Sequence, residues 1–437
     1  MPVAHCPTLL IASPSSGQGK TLFTSALARA HTQQGRKVAV FKLGPDFLDP
    51  MIHQVACGQT VYNLDLWMMG EQHCQELLYK AARDNDIILI ESLMGLHDNL
   101  PSSADFARLF NIPVLLLMDV AKYAQTAAAI ADGLINYQSP VSVTKASLTL
   151  FGIVGNKVGS DNHHLLLKES LSDSYLASIK RDESLHLPHR HLGLVQAGEL
   201  DDLTGLLNYA ANELINTPFI SDRLLQLPAE TTFQQVDSFD RHDYLKGKCI
   251  AIAKDAAFSF IYPANIDFII HNGARIKYFS PLKNQAVPDA DILWLPGGYP
   301  ELYLTRLQQN AITRQSIQSF CNTNKPVLAE CGGFIYLLET LSTDNSTANM
   351  CNVIPGNAQL HSRFQGLGLQ SMVYNNKEYR GHSFHHTSVS NTEEPMGYTT
   401  MQNGKEGEAV YQFKNITGTY FHQYFAYSNN ILLTQSI

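Results

Sequence analysis

No stretch of this 437-residue chain carries the roughly 20 consecutive apolar residues that a bilayer-spanning helix requires. Its opening, MPVAHCPTLLIASPSSGQGK, has no basic start ahead of a cleavable apolar stretch, so no secretory leader is expected there. Positive charge is scarce as well: 31 Lys and Arg stand against 39 Asp and Glu, a formal net charge of −8. A broad nucleic-acid surface needs clustered cations to displace counterions, so no nucleic-acid partner is expected. Small anions are a different matter, because a few local N–H donors hold a phosphate inside an acidic protein. The 7 cysteines (Cys6, Cys57, Cys74, Cys249, Cys321, Cys331 and Cys351) are odd in number and lack a CxxC pair, which argues against a disulfide framework or a zinc ribbon. Together these absences point to a cytoplasmic protein with no membrane partner.

What is present is alternation. TLLIA (8–12), KVAVFKL (37–43), IILIES (87–92), VLLLMDV (114–120) and LFGIVGN (150–156) read as fully buried strands, separated by helix-length segments such as the Ala-rich TLFTSALARAHTQQ ended by Gly35. Strand–helix alternation of this kind predicts an α/β fold with a parallel, doubly wound sheet and ligands at the C-terminal strand ends. The polar, aperiodic stretch around 216–247 interrupts it and is taken as a linker between domains at 1–215 and 248–437. Beyond it CIAIAKD (249–255), RIKYFSP (275–281), ILWLPGG (292–298) and PVLAECGG (326–333) resume the alternation, and a more β-rich tail ends at TGTYFHQYF (417–425).

The segment SPSSGQGKT (13–21) follows a strand and opens a helix. Ser16, Gly17, Gln18 and Gly19 would wrap backbone N–H groups around phosphates, Lys20 would meet the outer phosphates, and Thr21 would place a hydroxyl on Mg²⁺. The usual leading glycine is missing, with Ser13 and Pro14 in its region. Glu91 ends a strand, where it could hold Mg²⁺ or its water or simply be solvated. Lys42, Asp46 and Asp49 in KLGPDFLDP suit metal coordination or substrate positioning, with turn-forming Asp as the plain alternative. Asn156, at the end of LFGIVGN, could read a base edge, though Asn is common after strands.

In the second half, PVLAECGGFIYLLETL is a strand, a sharp turn at Cys331 and a helical pattern, the arrangement of a nucleophile elbow. A helix N-terminus there would lower the thiol pKa. The N–H of Gly332 and, from LPGGYPE, that of Gly298 are the candidate oxyanion donors, and His422 is the candidate general acid/base. Taken singly, Cys331 and His422 read as a buried thiol and a core histidine; with the two-glycine turn they read as a pair. RGHSFHHT (380–387) lacks Cys or acid at ligand spacing and is expected to bind an acidic substrate through Arg380 and a histidine rather than a metal.

Over nearly its whole length the sequence resembles the corrinoid a,c-diamide synthases, which act on cobyrinic or hydrogenobyrinic acid. The segments SSGQGKT, FKLGPDFLDPMIH, YNLDLWM, IESLMGLHD, SADFARLF, LPGGYPEL, LAECGGF, RGHSFHH and FHQYF carry the likeness in order and spacing. The resemblance implies a P-loop domain like that of dethiobiotin synthetase followed by a class I glutamine amidotransferase-like domain without a recognisable third acid. It implies ATP with Mg²⁺, L-glutamine and a corrinoid polycarboxylate as ligands, with Cys331 the glutaminase nucleophile, His422 its activator, Lys20 and Thr21 on ATP·Mg²⁺, Glu91 a second magnesium-side acid, and Asp46 near the activated carboxylate. So large a substrate calls for a broad cleft between domains or subunits, with a homodimer as one such assembly, and ammonia made at one site and used at the other calls for an internal path between them. Three positions depart from the pattern: Ser92 stands where glycine is usual, Ser383 where glutamate is common, and Tyr424 where ordinary class I enzymes carry glutamate. Alternatives are the sister synthases acting on cobyric acid precursors or nickel sirohydrochlorin, a regulatory P-loop ATPase with a non-catalytic second domain, and an ammonia-only synthetase.

Overall fold

Apolar residues at every position of a short run bury both faces of a strand, and only a sheet covered on both sides accommodates that. The computed structural model, which describes residues 2–190, 193–217, 219–236, 243–390 and 392–431, places the runs in two such sheets. The chain divides into two units, Met1–Ser238 and Phe239–Ile437.

In the first unit β1 (Val3–Ala12), β2 (Val38–Leu43), β3 (Tyr62–Leu64), β4 (Ile87–Glu91), β5 (Val114–Asp119), β6 (Leu150–Val158) and β7 (Tyr175–Lys180) follow the order β3-β2-β4-β1-β5-β6-β7. Every pair along that path is parallel. Helix α1 (Lys20–Gln33) follows β1, buries Phe23, Ala26, Leu27 and Ala30, and stops at Gly35, whose φ of +82° suits only a residue without Cβ. Helix α2 (Leu48–Cys57) follows β2. Register then matters for chemistry: Glu91 lies opposite Ile11 on one side and Lys42 on the other, so three strand ends converge beside the start of α1.

One expectation needs correcting here. The stretch 216–247, read as an irregular linker, contains β8 (Glu230–Gln234), which pairs antiparallel with Val3–Pro7, the half of β1 that precedes the predicted TLLIA strand. Both halves alternate exposed and buried residues, with Phe233 and Cys6 inward, a period of two too short to stand out among polar neighbours. Residues 237–242 of the same stretch lie outside the described residues.

The second unit carries β9 (Cys249–Ala253), β10 (Arg275–Phe279), β11 (Ile292–Leu295), β12 (Val327–Glu330), β13 (Gly366–Tyr374), β14 (Lys377–His385), β15 (Gly397–Met401), β16 (Glu406–Phe413), β17 (Ile416–Thr419) and β18 (His422–Gln423), in the order β10-β9-β11-β12-β17-β16-β15-β13-β14-β18. The first five are parallel and the rest antiparallel. The expected TGTYFHQYF run is therefore two strands. Only Tyr420 and Phe421 separate β17 from β18, although the sheet order sets them five places apart. Two residues cannot span a flat sheet of that width, so the antiparallel half curls back and brings β14 and His422 toward the end of β12.

Candidate functional site

The turn Ser15–Gly17 is exposed while Lys20, at the start of α1, is buried. The Lys20 Nζ donates to Ser13 Oγ at 2.7 Å, Met94 O at 2.6 Å and Ser15 O at 3.4 Å. All three acceptors are neutral, so the ammonium sits at the loop without a carboxylate of its own, the complement a phosphate requires. Burial lowers its pKa to about 8, with Glu91 pulling up and Lys42 pushing down. A bound phosphate would raise that value again. ATP binding is therefore expected to weaken as pH rises above about 8 and to take up a proton at about pH 9 but not at about pH 7. Calorimetry in buffers of different ionisation heat reads the uptake, and Lys20→Met should remove it.

Beside the loop lies a buried charge network. Lys42 Nζ is 2.7 Å from Asp49 Oδ2 and 2.8 Å from Glu91 Oε1. Thr21 Oγ1 donates to the same Glu91 oxygen at 3.0 Å. The other oxygen meets His53 Nε2 at 2.6 Å, and Ser25 Oγ lies 2.8 Å from His53 Nδ1. Burial works against charge on Glu91, but Lys42 and His53 overcome it and hold the carboxyl well below its ordinary range. For Asp49 burial prevails: it and the neighbouring Asp46 and Glu91 push the carboxyl well above its usual value, against the pull of Lys42. One ammonium cannot balance both carboxylates, and Glu91, with a second partner, is the one that stays ionised.

Asp46 does not join this network by a direct contact to Lys42. Its Oδ1 accepts the N–H groups of Leu48 and Asp49 at 2.7 and 3.1 Å, which caps the turn into α2. Asn63 Nδ2 holds the same loop through Gly44 O and Asp46 O, both at 2.8 Å. A shallow recess beside this loop is bordered by Leu43, Gly44, Leu64, Leu93, Asp98 and Phe106. Asn156 lies under the phosphate loop: its Nδ2 donates to Gln18 O at 2.9 Å, its Oδ1 accepts the N–H of Lys157 at 3.0 Å, and a Cβ on Gly19 would stand 2.6 Å from Nδ2. Gln18 Oε1 in turn accepts the N–H of Asp119 at 2.7 Å.

The Thr21 hydroxyl and Glu91 carboxylate are hard oxygen donors of the kind Mg²⁺ takes. Among the described residues no group of three or more His, Cys, Asp or Glu side chains is arranged to hold a metal by itself. The donor set thus fits a Mg²⁺ that arrives with nucleotide phosphates.

In the second unit Cys331 joins β12 to the short helix α3 (Gly332–Leu337) at φ +44°, ψ −108°, the strained backbone expected of an elbow. Its N–H donates to Thr419 O at 2.7 Å and the Gly332 N–H is turned toward its sulfur. Close approach explains the glycines around it. A Cβ on Gly332 would lie 2.9 Å from Gly298 N, and one on Gly297 only 2.2 Å from His422 Cε1. Cys331, Gly332, Gly298 and His422 are thereby drawn to one place from three separate segments. The His422 ring lies on that of His382 (centroids 5.1 Å apart, 19° between planes), and His382 Nδ1 is 2.9 Å from the Tyr262 hydroxyl.

The protonation of this pair differs from the expected thiolate. Burial pushes the Cys331 thiol up, with Glu301 adding to it and the Gly332 N–H opposing, and burial with His382 and His385 holds His422 well below its ordinary value. A helix of six residues offers too small a dipole to outweigh full desolvation. Both shifts favour the neutral forms, a thiol and an imidazole. Arg380 donates to Glu378 Oε2 at 3.1 Å and lies over the Tyr427 ring at 4.2 Å.

Sequence reasoning missed His53, Asn63 and Tyr262, and took His382 only as one of the RGHSFHHT cluster, not as a neighbour of His422. Only His53 left a usable signal: it stands four residues after Asp49 on α2, hence on the same helix face.

Comparison with known proteins matches residues 9–195 to a CobQ/CobB/MinD/ParA nucleotide binding domain and residues 249–430 to a CobB/CobQ-like glutamine amidotransferase domain. The hydrogenobyrinate a,c-diamide synthase of Pseudomonas aeruginosa is 44% identical over 428 residues, covering 97% of this chain and 96% of that protein. Its namesake from Stutzerimonas stutzeri is 43% identical, over 96% of each chain. The cobyrinate a,c-diamide synthase of Herminiimonas arsenicoxydans is 40% identical, over 97% of this chain and 95% of its own. Among the described residues no helix is long and apolar enough to cross a membrane.

Proposed function

Because this chain belongs to the cobyrinate and hydrogenobyrinate a,c-diamide synthase family, we propose that it amidates the a and c carboxylates of cobyrinic or hydrogenobyrinic acid, with glutamine as nitrogen donor and ATP as the source of activation. The observation that carries the proposal is the presence, in one chain, of a phosphate loop beside a buried Lys42–Glu91 pair and a cysteine elbow converging with a histidine.

The chemistry follows from the two sites. Cys331 attacks the side-chain amide carbon of glutamine while His422 takes the thiol proton, and the oxyanion rests on the N–H groups of Gly332 and Gly298. His422 passes the proton to the departing ammonia, and water cleaves the thioester to release glutamate. Starting from a neutral pair, the proton moves as the sulfur attacks, so the buried site never holds an isolated thiolate. In the first unit a substrate carboxylate oxygen attacks the γ-phosphorus of ATP, ADP departs, and an acyl phosphate forms. Lys20 balances the phosphate charge, and Lys42 with the GPDFLDP loop positions the carboxylate. Mg²⁺ bound with the nucleotide would take Thr21 and Glu91 as protein oxygens and screen the phosphates. Ammonia then displaces phosphate, leaving the amide. The reaction belongs in the cytoplasm, where ATP and glutamine occur together.

The test is ATP- and glutamine-dependent conversion of cobyrinic and hydrogenobyrinic acids, followed by mass spectrometry. Two amidations are expected, and the faster substrate shows whether the ring binds with or without cobalt. ATP hydrolysis with no amidation of either ring would overturn the corrin assignment and point to the sister substrates.

A further inference from the structure

Glu330 precedes Cys331 at the end of a parallel strand whose other residues, Val327, Leu328 and Ala329, are apolar and buried. It is itself only 2% exposed, and a leucine would fill the same space without desolvating a charge. Its two oxygens are both engaged by donors on other strands. Oε2 accepts the Trp294 indole N–H from β11 at 2.9 Å, and Oε1 accepts the backbone N–H of Gln423 in β18, also at 2.9 Å.

The second of these bonds has a particular place. Thr419 O accepts the Cys331 N–H at 2.7 Å, so the segment from Thr419 to Gln423, which carries His422, is fastened at both ends to the consecutive residues 330 and 331. The strand bearing His422 is two residues long and has little ladder of its own to fix it. Asn265 supports it from the far side, donating to Gln423 O at 2.8 Å and accepting the Phe425 N–H at 2.9 Å.

We propose that Glu330 is a positioning residue for the glutaminase half-reaction: its carboxylate, held by Trp294, sets the distance of His422 from Cys331 by gripping the next residue's N–H. The inference rests on the assignment of Cys331 and His422 as the reacting pair. Burial raises the Glu330 pKa to about 7, against the two hydrogen bonds, which is the cost of keeping an acid where the surrounding strand is apolar.

Glutamine at this position preserves shape but offers one acceptor and one amino group to two donors, so one of them loses its partner. Glu330→Gln is expected to lower kcat for glutamine about 10²-fold, the usual effect of a reacting group misplaced by an ångström, with KM for glutamine within about threefold. Ammonium-dependent amidation should stay at the wild-type rate. Adding Trp294→Phe to Glu330→Gln removes the competing donor and leaves the carbonyl of the introduced amide free for the Gln423 N–H. In that double variant kcat should recover by about tenfold or more over Glu330→Gln alone. A purely structural role predicts no such recovery and equal loss with both nitrogen donors, and that result overturns the inference. So does wild-type kcat in Glu330→Gln when Cys331→Ala is inactive with glutamine. Continued use of glutamine by Cys331→Ala would instead overturn the underlying assignment of the pair.

Discussion

Cys331→Ala is expected to lower glutamine-dependent amidation by about 10⁴-fold or more while ammonium still supports amidation at the wild-type rate. The asymmetry follows from the division of labour proposed above. Removing the sulfur leaves no atom at the elbow able to form the thioester, and the other six cysteines are buried. The acyl phosphate formed in the first unit is indifferent to the source of ammonia. Alanine is tolerated at this position as well as cysteine is, because both have the same backbone cost at φ +44°. Glutamate release and mass spectrometry of the corrinoid, run in parallel, check both halves. Loss of activity with both donors would mean that the elbow supports the fold rather than the chemistry.

The opposite pattern is expected of Glu91→Ala: amidation with either donor falls by about 10³-fold or more, and glutaminase activity persists. This substitution also carries a stability penalty, because it strips Lys42 and His53 of a shared buried partner and leaves an imperfectly balanced ammonium beside Asp49. Breaking a buried pair in this way costs about 3–5 kcal/mol. The pH dependence has a definite sign. Glu91 is held below its unfolded value of 4.5, so its contribution is present in full above that pH and is lost as pH falls through the lower folded value. Urea unfolding should therefore separate wild type from Glu91→Ala most at neutral pH, and the two curves should lie closer together at about pH 3.

The parts of this architecture visible in sequence were those built from a single continuous pattern. Fully apolar runs announce parallel strands because both faces are covered, and the loop before Lys20 and the turn at Cys331 each occupy one local segment between a strand and a helix. What stayed hidden depends on segments distant in sequence. His53 matters only because β2 and β4 place Lys42 opposite Glu91 within its reach. His382 meets His422 as its direct partner across the β14–β18 pair, a register that no periodicity in either strand foretells. The upward push of burial on the Cys331 thiol stayed hidden for a related reason: the helix end is local and legible, whereas burial is contributed by the whole surrounding unit.

The ribbon between residues 3–7 and 230–234 has a consequence for how the polypeptide is made. The earliest-synthesised strand waits for almost the last segment of its unit before half of its length is paired. On the ribosome, the parallel ladder from β3 to β7 can assemble as its strands emerge, yet the exposed edge of Val3–Pro7 stays unlatched until Gln234 has left the exit tunnel. Once that closure occurs, the first unit has its sheet partners while most strands of the second are still to emerge, and the nascent chain can mature in two successive steps.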